Sequence, residues 1–243
     1  MKPEFCENYA ELDREHWWWK ARRMFLKREL AKITAGTTNT SILDVGCGDG
    51  LFFDDLSAHG DVHGIERDPR MLTANGRHRE RIHVGPFDGS FQPNRRFDLI
   101  LMLDVLEHVD ERGAALRRAS ELLSAGGQLI LSVPAFQALW TQHDVLCEHR
   151  LRYNRKSLRT AVQQSGFEVQ RARYFFHWMY PAKLAVRLME AIVPSHPRSP
   201  RLLPRPLNRL IYGVCRLEEA LFGGLGLPFG SSLFMVCRPS PTD

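Results

Sequence analysis

Residues 41–50 constrain the fold of this 243-residue chain more than any other segment. They have the sequence SILDVGCGDG, a short apolar run followed by glycine at alternate positions, Gly46, Gly48 and Gly50. The apolar run predicts a buried strand, and the residues that follow predict a helix at 51–58. Alternate glycines allow a tight turn and leave no Cβ between the backbone and a ligand. A strand, a glycine turn and a helix in this order are typical of an α/β sheet that binds a nucleotide-like ligand.

Short apolar segments alternate with helical periodicity through the rest of the chain. We predict strands at 41–46, 61–66, 81–85, 97–103, 128–134, 167–176 and 231–237. Between several of them we predict helices at 51–58, 69–79, 110–124 and 155–165. This alternation predicts a parallel sheet that is covered by helices on both faces.

The spacing of the glycines excludes two common nucleotide sites. A dinucleotide fingerprint needs G-x-G-x-x-G, and a phosphate loop needs Lys-Ser/Thr after its last glycine; neither occurs in this turn. Asp44 would repel a pyrophosphate but suits a ligand with an ammonium group and a sulfonium. Glu66, near the end of the second predicted strand, is placed to accept both hydroxyls of an adenosine ribose.

Four segments together resemble the class I S-adenosylmethionine-dependent methyltransferases, and the ubiquinone/menaquinone-type and small-molecule group in particular. They are DVGCGDG at 44–50, Glu66, the run from FDLI at 97–100 to LDVLEHV at 103–109, and LLSAGG at 122–127. The resemblance implies a Rossmann-like, mostly parallel sheet of seven strands whose last strand runs antiparallel. It also implies that the cofactor is S-adenosyl-L-methionine and its product S-adenosyl-L-homocysteine.

The resemblance also implies which residues hold the cofactor. The glycine turn would wrap the methionine part, Asp44 would anchor its amino group through the loop or a water, and Glu66 would hold the ribose. Phe87 and Asp88 are candidates for adenine binding, although Phe87 could equally be a core aromatic. The complete predicted cofactor set is Asp44, Gly46, Cys47, Gly48, Gly50, Glu66, Arg67, Phe87, Asp88 and Leu103.

The end of the fourth predicted strand has two interpretations. In one, Asp104 and His108 line the acceptor pocket; in the other, Asp104, Glu107 and His108 bind a divalent metal ion, as the similar motif suggests in ubiquinone-type O-methyltransferases. We expect no metal, since many metal-independent relatives share this motif. No Asn/Asp-Pro-Pro-aromatic motif occurs here, which disfavours a nucleic-acid substrate.

A polar stretch follows the fifth predicted strand, at residues 134–153. A hydroxyl or amine acceptor must lose a proton, and histidine is the natural general base, so His149 and then His143 are the catalytic candidates. Further predicted acceptor contacts in this stretch are Trp140, Arg150, Arg152 and Tyr153. Alternatively, the whole cluster only fastens the loop to the sheet by salt bridges.

We expect one domain with four parts. They are an N-terminal helical cap at 1–40, a cofactor-binding core at 41–176, a helical insertion at 177–230 and a last strand at 231–238. The cap contains a predicted helix at 13–33 with three consecutive tryptophans, Trp17, Trp18 and Trp19, which cannot all face one core. That helix either packs on the sheet or covers the cofactor cleft.

The insertion contains two amphipathic runs, 180–192 and 207–222, around a proline-rich break at 194–206. These runs either cover the sheet edge or shape a greasy pocket, with residues 178–226 as a candidate contact to a membrane surface. No apolar run reaches the roughly 18–20 residues of a spanning helix, and no secretory signal is expected.

Net charge and cysteine content restrict the possible functions only slightly. The net charge of +5 permits an anionic partner but is common on proteins without one. Five scattered cysteines predict reduced thiols in a cytoplasmic protein. We therefore expect methyl transfer to an O or N atom of a small-molecule, sugar or lipid-linked acceptor. The alternative is a non-catalytic module of the same fold that binds the cofactor or a nucleotide, or that acts at a membrane surface. The oligomeric state is left open.

Overall fold

A computed structural model describes residues 9–193 and 200–241 of the protein. Its seven strands are β1 (Thr40–Val45), β2 (Gly60–Glu66), β3 (Ile82–Val84), β4 (Phe97–Leu103), β5 (Leu123–Pro134), β6 (Phe167–Phe175) and β7 (Ser232–Pro239). They form one sheet in the order β3-β2-β1-β4-β5-β7-β6. The pairs among β1 to β5 are parallel, and β7 runs antiparallel to both β5 and β6. The predicted Rossmann-like sheet with an antiparallel last strand is confirmed.

The long helices also follow the sequence pattern. The helices are α1 (Tyr9–Glu15), α2 (Trp17–Ile33), α3 (Phe53–Leu56), α4 (Arg112–Leu122), α5 (Gln142–Leu146), α6 (Arg155–Gln163), α7 (Met179–Ile192) and α8 (Arg205–Phe222). The helix predicted at 13–33 is divided at His16, whose Nδ1 accepts a hydrogen bond from the Trp18 N–H and so caps the start of α2.

The helix predicted at 69–79 is wrong. The segment instead holds two single turns of 3₁₀-helix, Pro69–Met71 and Arg79–Arg81. Between them, the carboxylate of Asp49 accepts hydrogen bonds from the backbone N–H of Thr73 at 3.0 Å and from its hydroxyl at 2.7 Å. These bonds tie the segment to the glycine turn, a tertiary contact that helix propensity alone does not anticipate.

The core lies on both faces of the sheet. Alternation along β1 sends Leu43 and Val45 to one apolar cluster and Ile42 to the other. Helices α4 and α6 cover the first cluster. Helix α2 covers the second with Phe25 and Leu30, which are almost fully buried. The two layers of helices therefore hold the sheet in place and leave its strand ends open.

The insertion is attached to the sheet by polar contacts. Glu218 of α8 accepts hydrogen bonds from the backbone N–H groups of His177 at 2.9 Å and Trp178 at 2.7 Å. Its neighbour Glu219 pairs with Arg173 of β6 at 2.8 Å. The predicted proline-rich break lies partly outside the described residues. In the part of the chain that the structure describes, no helix is long and apolar enough to cross a membrane.

Candidate active site

The carboxyl ends of β1, β2, β4 and β5 open into one cavity of about 1340 Å³. Ligands bind at this edge in open α/β sheets, because the strand ends and their loops converge there. The volume exceeds the ~300–1,000 Å³ of a typical small-molecule pocket. The cavity is therefore large enough for two ligands side by side.

The glycine turn forms one wall of this cavity. Gly46, Gly48 and Gly50 all have positive φ angles, 72°, 55° and 70°. The turn is fixed by hydrogen bonds from the Gly46 N–H to the Ile65 carbonyl at 2.8 Å and from the Gly48 N–H to Glu66 at 2.9 Å. Side chains with a Cβ rarely adopt this backbone conformation, so the alternate glycines are required by the turn itself.

Glu66 links the glycine turn to the end of β2. One carboxylate oxygen accepts the Gly48 N–H, and the other accepts the Asp68 N–H at 2.8 Å. A carboxylate has about four acceptor sites, so each oxygen can also accept a ligand hydroxyl. Glu66 lines the cavity, and its position fits the predicted ribose contact.

Most of the predicted cofactor residues lie on the cavity wall. They are Gly46, Gly48, Glu66, Arg67, Phe87, Asp88 and Leu103. Phe87 also packs against the sheet core, and its predicted adenine contact stays a prediction. The prediction that Cys47 and Gly50 contact the cofactor directly is corrected, because neither residue lines the cavity. The Cys47 thiol lies against Gly64, and Gly50 lies against Phe53 and His78.

Asp44 lies behind the turn rather than on the cavity wall. Its side chain is buried, and burial raises the pKa of this carboxyl to about 7. The positive charge of Arg22 lowers that pKa and the negative charge of Glu66 raises it further. Asp44 therefore changes charge close to neutral pH, where a nearby ligand ammonium would favour its ionised form.

His149 is held by a buried carboxylate. Its Nδ1 lies 2.7 Å from Oδ1 of Asp144, which is fully buried. Burial raises the pKa of Asp144, but the hydrogen bond from His149 and the charge of Arg152 hold it well below its usual range. Because Asp144 is ionised, Nδ1 of His149 carries the hydrogen and Nε2 is left as a proton acceptor. His149 lines the cavity, so this pair has the geometry of an oriented general base.

Arg152 supports this pair and also lines the cavity. Its Nε and Nη2 donate to the two oxygens of Asp144 at 2.8 and 3.0 Å, and its Nη1 donates to the Ala135 carbonyl at 3.0 Å. Its side chain is almost fully buried. Its hydrogen bonds therefore give Arg152 a positioning role for Asp144, and its predicted acceptor contact stays a prediction.

Two of the predicted acceptor contacts do not reach the cavity. Tyr153 is buried and its hydroxyl donates to the Leu106 carbonyl, and Trp140 lies away from the cavity wall. Arg150 does line the cavity, where it is exposed and pairs with Asp110 at 3.1 Å. Some residues of the polar stretch therefore fasten their own loop, as the alternative interpretation predicts.

Two further histidines of the cavity, His108 and His143, are weak bases. Burial lowers the pKa of His143 to about 3, and its Nε2 lies 3.5 Å from the Cys147 thiol. Burial, followed by the neighbouring His149, lowers the pKa of His108 to about 4. Both side chains line the cavity, but both stay neutral at pH 7. His149 is therefore the stronger candidate for the base.

Asp104 connects the end of β4 to the N-terminal cap. Its Oδ2 accepts from Nε of Arg22 at 2.6 Å, its Oδ1 accepts from the Ser132 hydroxyl at 3.0 Å, and Arg22 also donates to the Leu103 carbonyl at 3.1 Å. Asp104 has φ 59°, a conformation that costs a residue with a Cβ about 1–2 kcal/mol. Both Asp104 and Arg22 line the cavity, and Arg22 is a site residue that sequence reasoning missed.

The structure brings together a different set of candidate metal ligands from the one that the sequence predicts. Among the described residues, Glu107, His108 and His149 offer ligand atoms within 4.8 Å of one another, whereas Asp104 is engaged by Arg22. Glu107 is fully buried, and neither of its oxygens has a hydrogen-bond partner. However, its Oε1 lies 4.0 Å from Nε2 of His149, wider than the ~3.4 Å between ligands of a tetrahedral zinc ion. The set therefore does not fit an ion as it stands.

A protonated Glu107 is consistent with its surroundings. Burial, followed by the negative charge of Asp104, raises the pKa of its carboxyl well above its ordinary value. A neutral carboxyl is less costly to bury than a carboxylate.

The N-terminal cap and the insertion complete the cavity. Trp17, Trp18 and Trp19 at the start of α2 all line it, while the rest of that helix packs on the sheet. Both interpretations of the helix are thus correct. Lys183 of α7 also lines the cavity, and burial lowers its pKa to about 8. The sequence did not mark it, because it is a single lysine in an apolar helix.

A sheet of this order, with a glycine turn after β1 and an acidic residue ending β2, defines a class I S-adenosylmethionine-dependent methyltransferase. The chain belongs to the Methyltransferase domain family, whose model matches residues 18–172, more than half of the chain. Solved structures show the same fold. A protein solved with the Haloferax volcanii Trm112 methyltransferase activator superposes with a TM-score of 0.61 at 16% identity, covering 99% of this chain and 98% of that one. A SAM-dependent methyltransferase from Archaeoglobus fulgidus gives 0.56 at 14% identity, covering 88% and 93%.

Curated relatives match over shorter segments. The chain is 35% identical over 98 residues to a ubiquinone biosynthesis O-methyltransferase from Azorhizobium caulinodans, covering 37% of this chain and 39% of the relative. It is 25% identical over 146 residues to the protein of that name from Aromatoleum aromaticum, covering 54% and 62%. The matches span less than two thirds of either relative, so they leave the acceptor open.

Proposed function

We propose that this protein transfers a methyl group from S-adenosylmethionine to an oxygen or nitrogen atom of an acceptor, with His149 as the general base. The observation that carries this proposal is the Asp144–His149 pair, 2.7 Å apart, in the same cavity as the glycine turn and Glu66. A cofactor site and an oriented base in one enclosed space are what such a reaction needs.

The cofactor, when bound, supplies an electrophilic methyl group on its sulfonium. The glycine turn and Glu66 bind and orient it. The acceptor atom forms its new bond to the methyl carbon in line with the breaking C–S bond, whose electron pair stays on sulfur. The proton of the acceptor O–H or N–H passes to Nε2 of His149, and Asp144 stabilises the resulting imidazolium.

The acceptor side of the cavity combines apolar and cationic groups. The apolar side chains there include the three tryptophans, Met179 and Val186, and the cations include Lys183 and Arg150. Such walls suit an acceptor with a large apolar part and an acidic group. The name of the curated relatives supports an oxygen atom as the methyl acceptor. Among small-molecule, sugar and lipid-linked acceptors, the lipid-linked class therefore fits best.

A methyl-transfer screen tests the proposal. The wild-type protein and the His149→Ala variant are incubated with a radiolabelled methyl donor and fractionated amphiphilic acceptors. We expect label to enter an acceptor only with the wild-type protein, while both proteins bind S-adenosylhomocysteine. Cofactor binding without transfer to any fraction would instead support the non-catalytic module. Equal transfer by the variant would exclude His149 as the base.

A further inference from the structure

Helix α8 turns its apolar stripe away from the protein. Leu207, Leu210, Val214, Leu217 and Leu221 recur at intervals of three and four residues, so they lie on one face of the helix. Their exposed fractions are 44, 65, 42, 59 and 58%. An amphipathic helix on a domain surface normally buries such a stripe against the core.

The face of α8 that packs on the domain is mostly polar and carries Cys215 as its buried apolar side chain. Glu218 and Glu219 are buried there and bound to backbone N–H groups and Arg173. Asn208 accepts a hydrogen bond from the Trp17 N–H at 2.9 Å and donates to the Glu15 carbonyl at 2.7 Å. Polar contacts thus fix the orientation of α8, and its exposed stripe is a defined feature of the fold.

Helix α7 has the same inverted arrangement. Leu188, Met189 and Ile192 are exposed by 59, 60 and 81%. Its inward side carries Lys183, which lines the cavity, and Glu190, which accepts the Gln142 N–H at 3.1 Å. Two neighbouring segments of the insertion therefore present apolar side chains to the outside and charged groups to the inside.

The exposed charges beside these stripes are basic. Arg205, Arg209 and Arg216 of α8 are exposed, whereas both acidic residues of that helix are buried and paired. Arg187 of α7 is exposed as well. Apolar side chains flanked by arginines are typical of helices that lie in the interface of an anionic bilayer.

We infer that α7 and α8 form a docking surface for an anionic lipid bilayer, made of the two apolar stripes and their flanking arginines. A second copy of the chain fits this docking surface less well than a bilayer does. A twofold interface would place the same patch on both sides and so bring the arginines of one copy against those of the other. The lipid phosphates of an anionic bilayer complement the same arginines.

The docking surface also borders the cavity. Met179 and Val186 of α7 line the cavity, while Leu188 and Ile192 of the same helix face outward. A lipid-linked acceptor could then pass from the bilayer along α7 to His149. This last step rests on the proposed function, whereas binding of the bilayer does not.

Vesicle flotation of the full chain tests the docking surface. Vesicles of phosphatidylcholine alone are compared with vesicles that contain phosphatidylglycerol. The variants are Leu210→Ser with Leu217→Ser, and Arg209→Gln with Arg216→Gln. Val145→Ser is the matched control, because Val145 is 43% exposed and lies outside the insertion. Thermal melting and titration with S-adenosylhomocysteine check that each variant is folded.

We expect the wild-type protein and Val145→Ser to float with the anionic vesicles. The double leucine variant should bind them at least tenfold more weakly, and the double arginine variant should lose the preference for anionic lipid. Absence of wild-type flotation, or flotation unchanged by the leucine changes, would overturn the inference. If the wild-type protein forms a dimer and binds no vesicles, and the double leucine variant is a monomer, then the docking surface is an interface between two copies of the chain. If the protein still binds S-adenosylhomocysteine in these cases, the proposed function is not contradicted.

Discussion

Nδ1 of His149, a residue of the cavity wall, lies 2.7 Å from Oδ1 of the buried Asp144. Asp144 also receives the Thr141 N–H at 2.9 Å and two hydrogen bonds from Arg152. These bonds fix the carboxylate, and the carboxylate fixes the tautomer and orientation of the imidazole. The base is thus set by four residues of one short segment, Thr141, Asp144, His149 and Arg152, and not by the histidine alone.

Replacing His149 with alanine removes the proposed base and should leave the cofactor site intact. We expect turnover to fall about 10²- to 10⁴-fold, the usual contribution of a general base. Cofactor affinity should stay within about twofold of wild type, because His149 does not touch the glycine turn. Initial rates and calorimetric titration measure both. His143→Ala is the control, and a larger loss of turnover there would reassign the base.

The contact between Arg22 and Asp104 should couple the N-terminal cap to β4. Nε of Arg22 and Oδ2 of Asp104 are 2.6 Å apart, and both side chains are mostly shielded from water. A double-mutant cycle with Arg22→Ala and Asp104→Ala should give a coupling free energy of about 1–3 kcal/mol in urea unfolding. The exposed Lys20–Glu15 pair is the control, with an expected coupling below about 0.5 kcal/mol. Equal couplings would refute a specific role for the Arg22 contact.

Asp44 should make stability depend on pH. Its pKa is about 7 in the folded protein and 3.8 ordinarily, so the folded state holds a proton that the unfolded chain releases between pH 4 and 7. Its contribution to the free energy of unfolding is therefore complete below about pH 4 and declines as pH rises through 7. Asp44→Asn lacks this decline.

The stability of Asp44→Asn relative to wild type should thus rise from pH 4 to pH 7 and level off above it. The change is at most about 4 kcal/mol, from a pKa difference near three at ~1.4 kcal/mol each. Urea unfolding at four pH values across this window measures it. A difference that stays constant with pH would show that the Asp44 carboxyl titrates normally.

Glu107 should behave as a neutral group. Burial raises the pKa of Glu107 and so favours its neutral form, which Glu107→Gln imitates in shape and charge. We expect this substitution to change the free energy of unfolding by less than about 1 kcal/mol. Turnover should also survive treatment with a chelator. Activity that a chelator abolishes and Mg²⁺ or Zn²⁺ restores would instead support a metal at Glu107, His108 and His149.

The sequence predicted the sheet well because its strands are short, apolar and separated by clear turn residues. The glycine turn and Glu66 were found for the same reason, since a turn of alternate glycines imposes its own spacing. The helix at 69–79 failed because Asp49 binds Thr73 across the turn, a contact between residues 24 positions apart. Local propensity carries no information about such a bond.

The acceptor side was less predictable, because its residues come from distant segments. Arg22 and Lys183 lie in the cap and in the insertion, and only the folded chain brings them to the cavity. Tyr153 was assigned to the acceptor from its polarity, but its side chain is buried away from the cavity wall. The sequence showed donors near His149 without showing that Asp144 already engages Arg152.

Titration calorimetry with S-adenosylmethionine and S-adenosylhomocysteine tests the account most directly, with Glu66→Ala as the diagnostic variant. Glu66→Ala leaves the N–H groups of Gly48 and Asp68 without their acceptor and removes the proposed ribose contact. We predict that the wild-type protein binds both ligands. Glu66→Ala should bind both ligands at least tenfold more weakly. The corresponding loss of binding free energy should exceed the change in the free energy of unfolding of the same variant. No detectable binding to the wild-type protein, or equal affinity in the variant, would contradict the account.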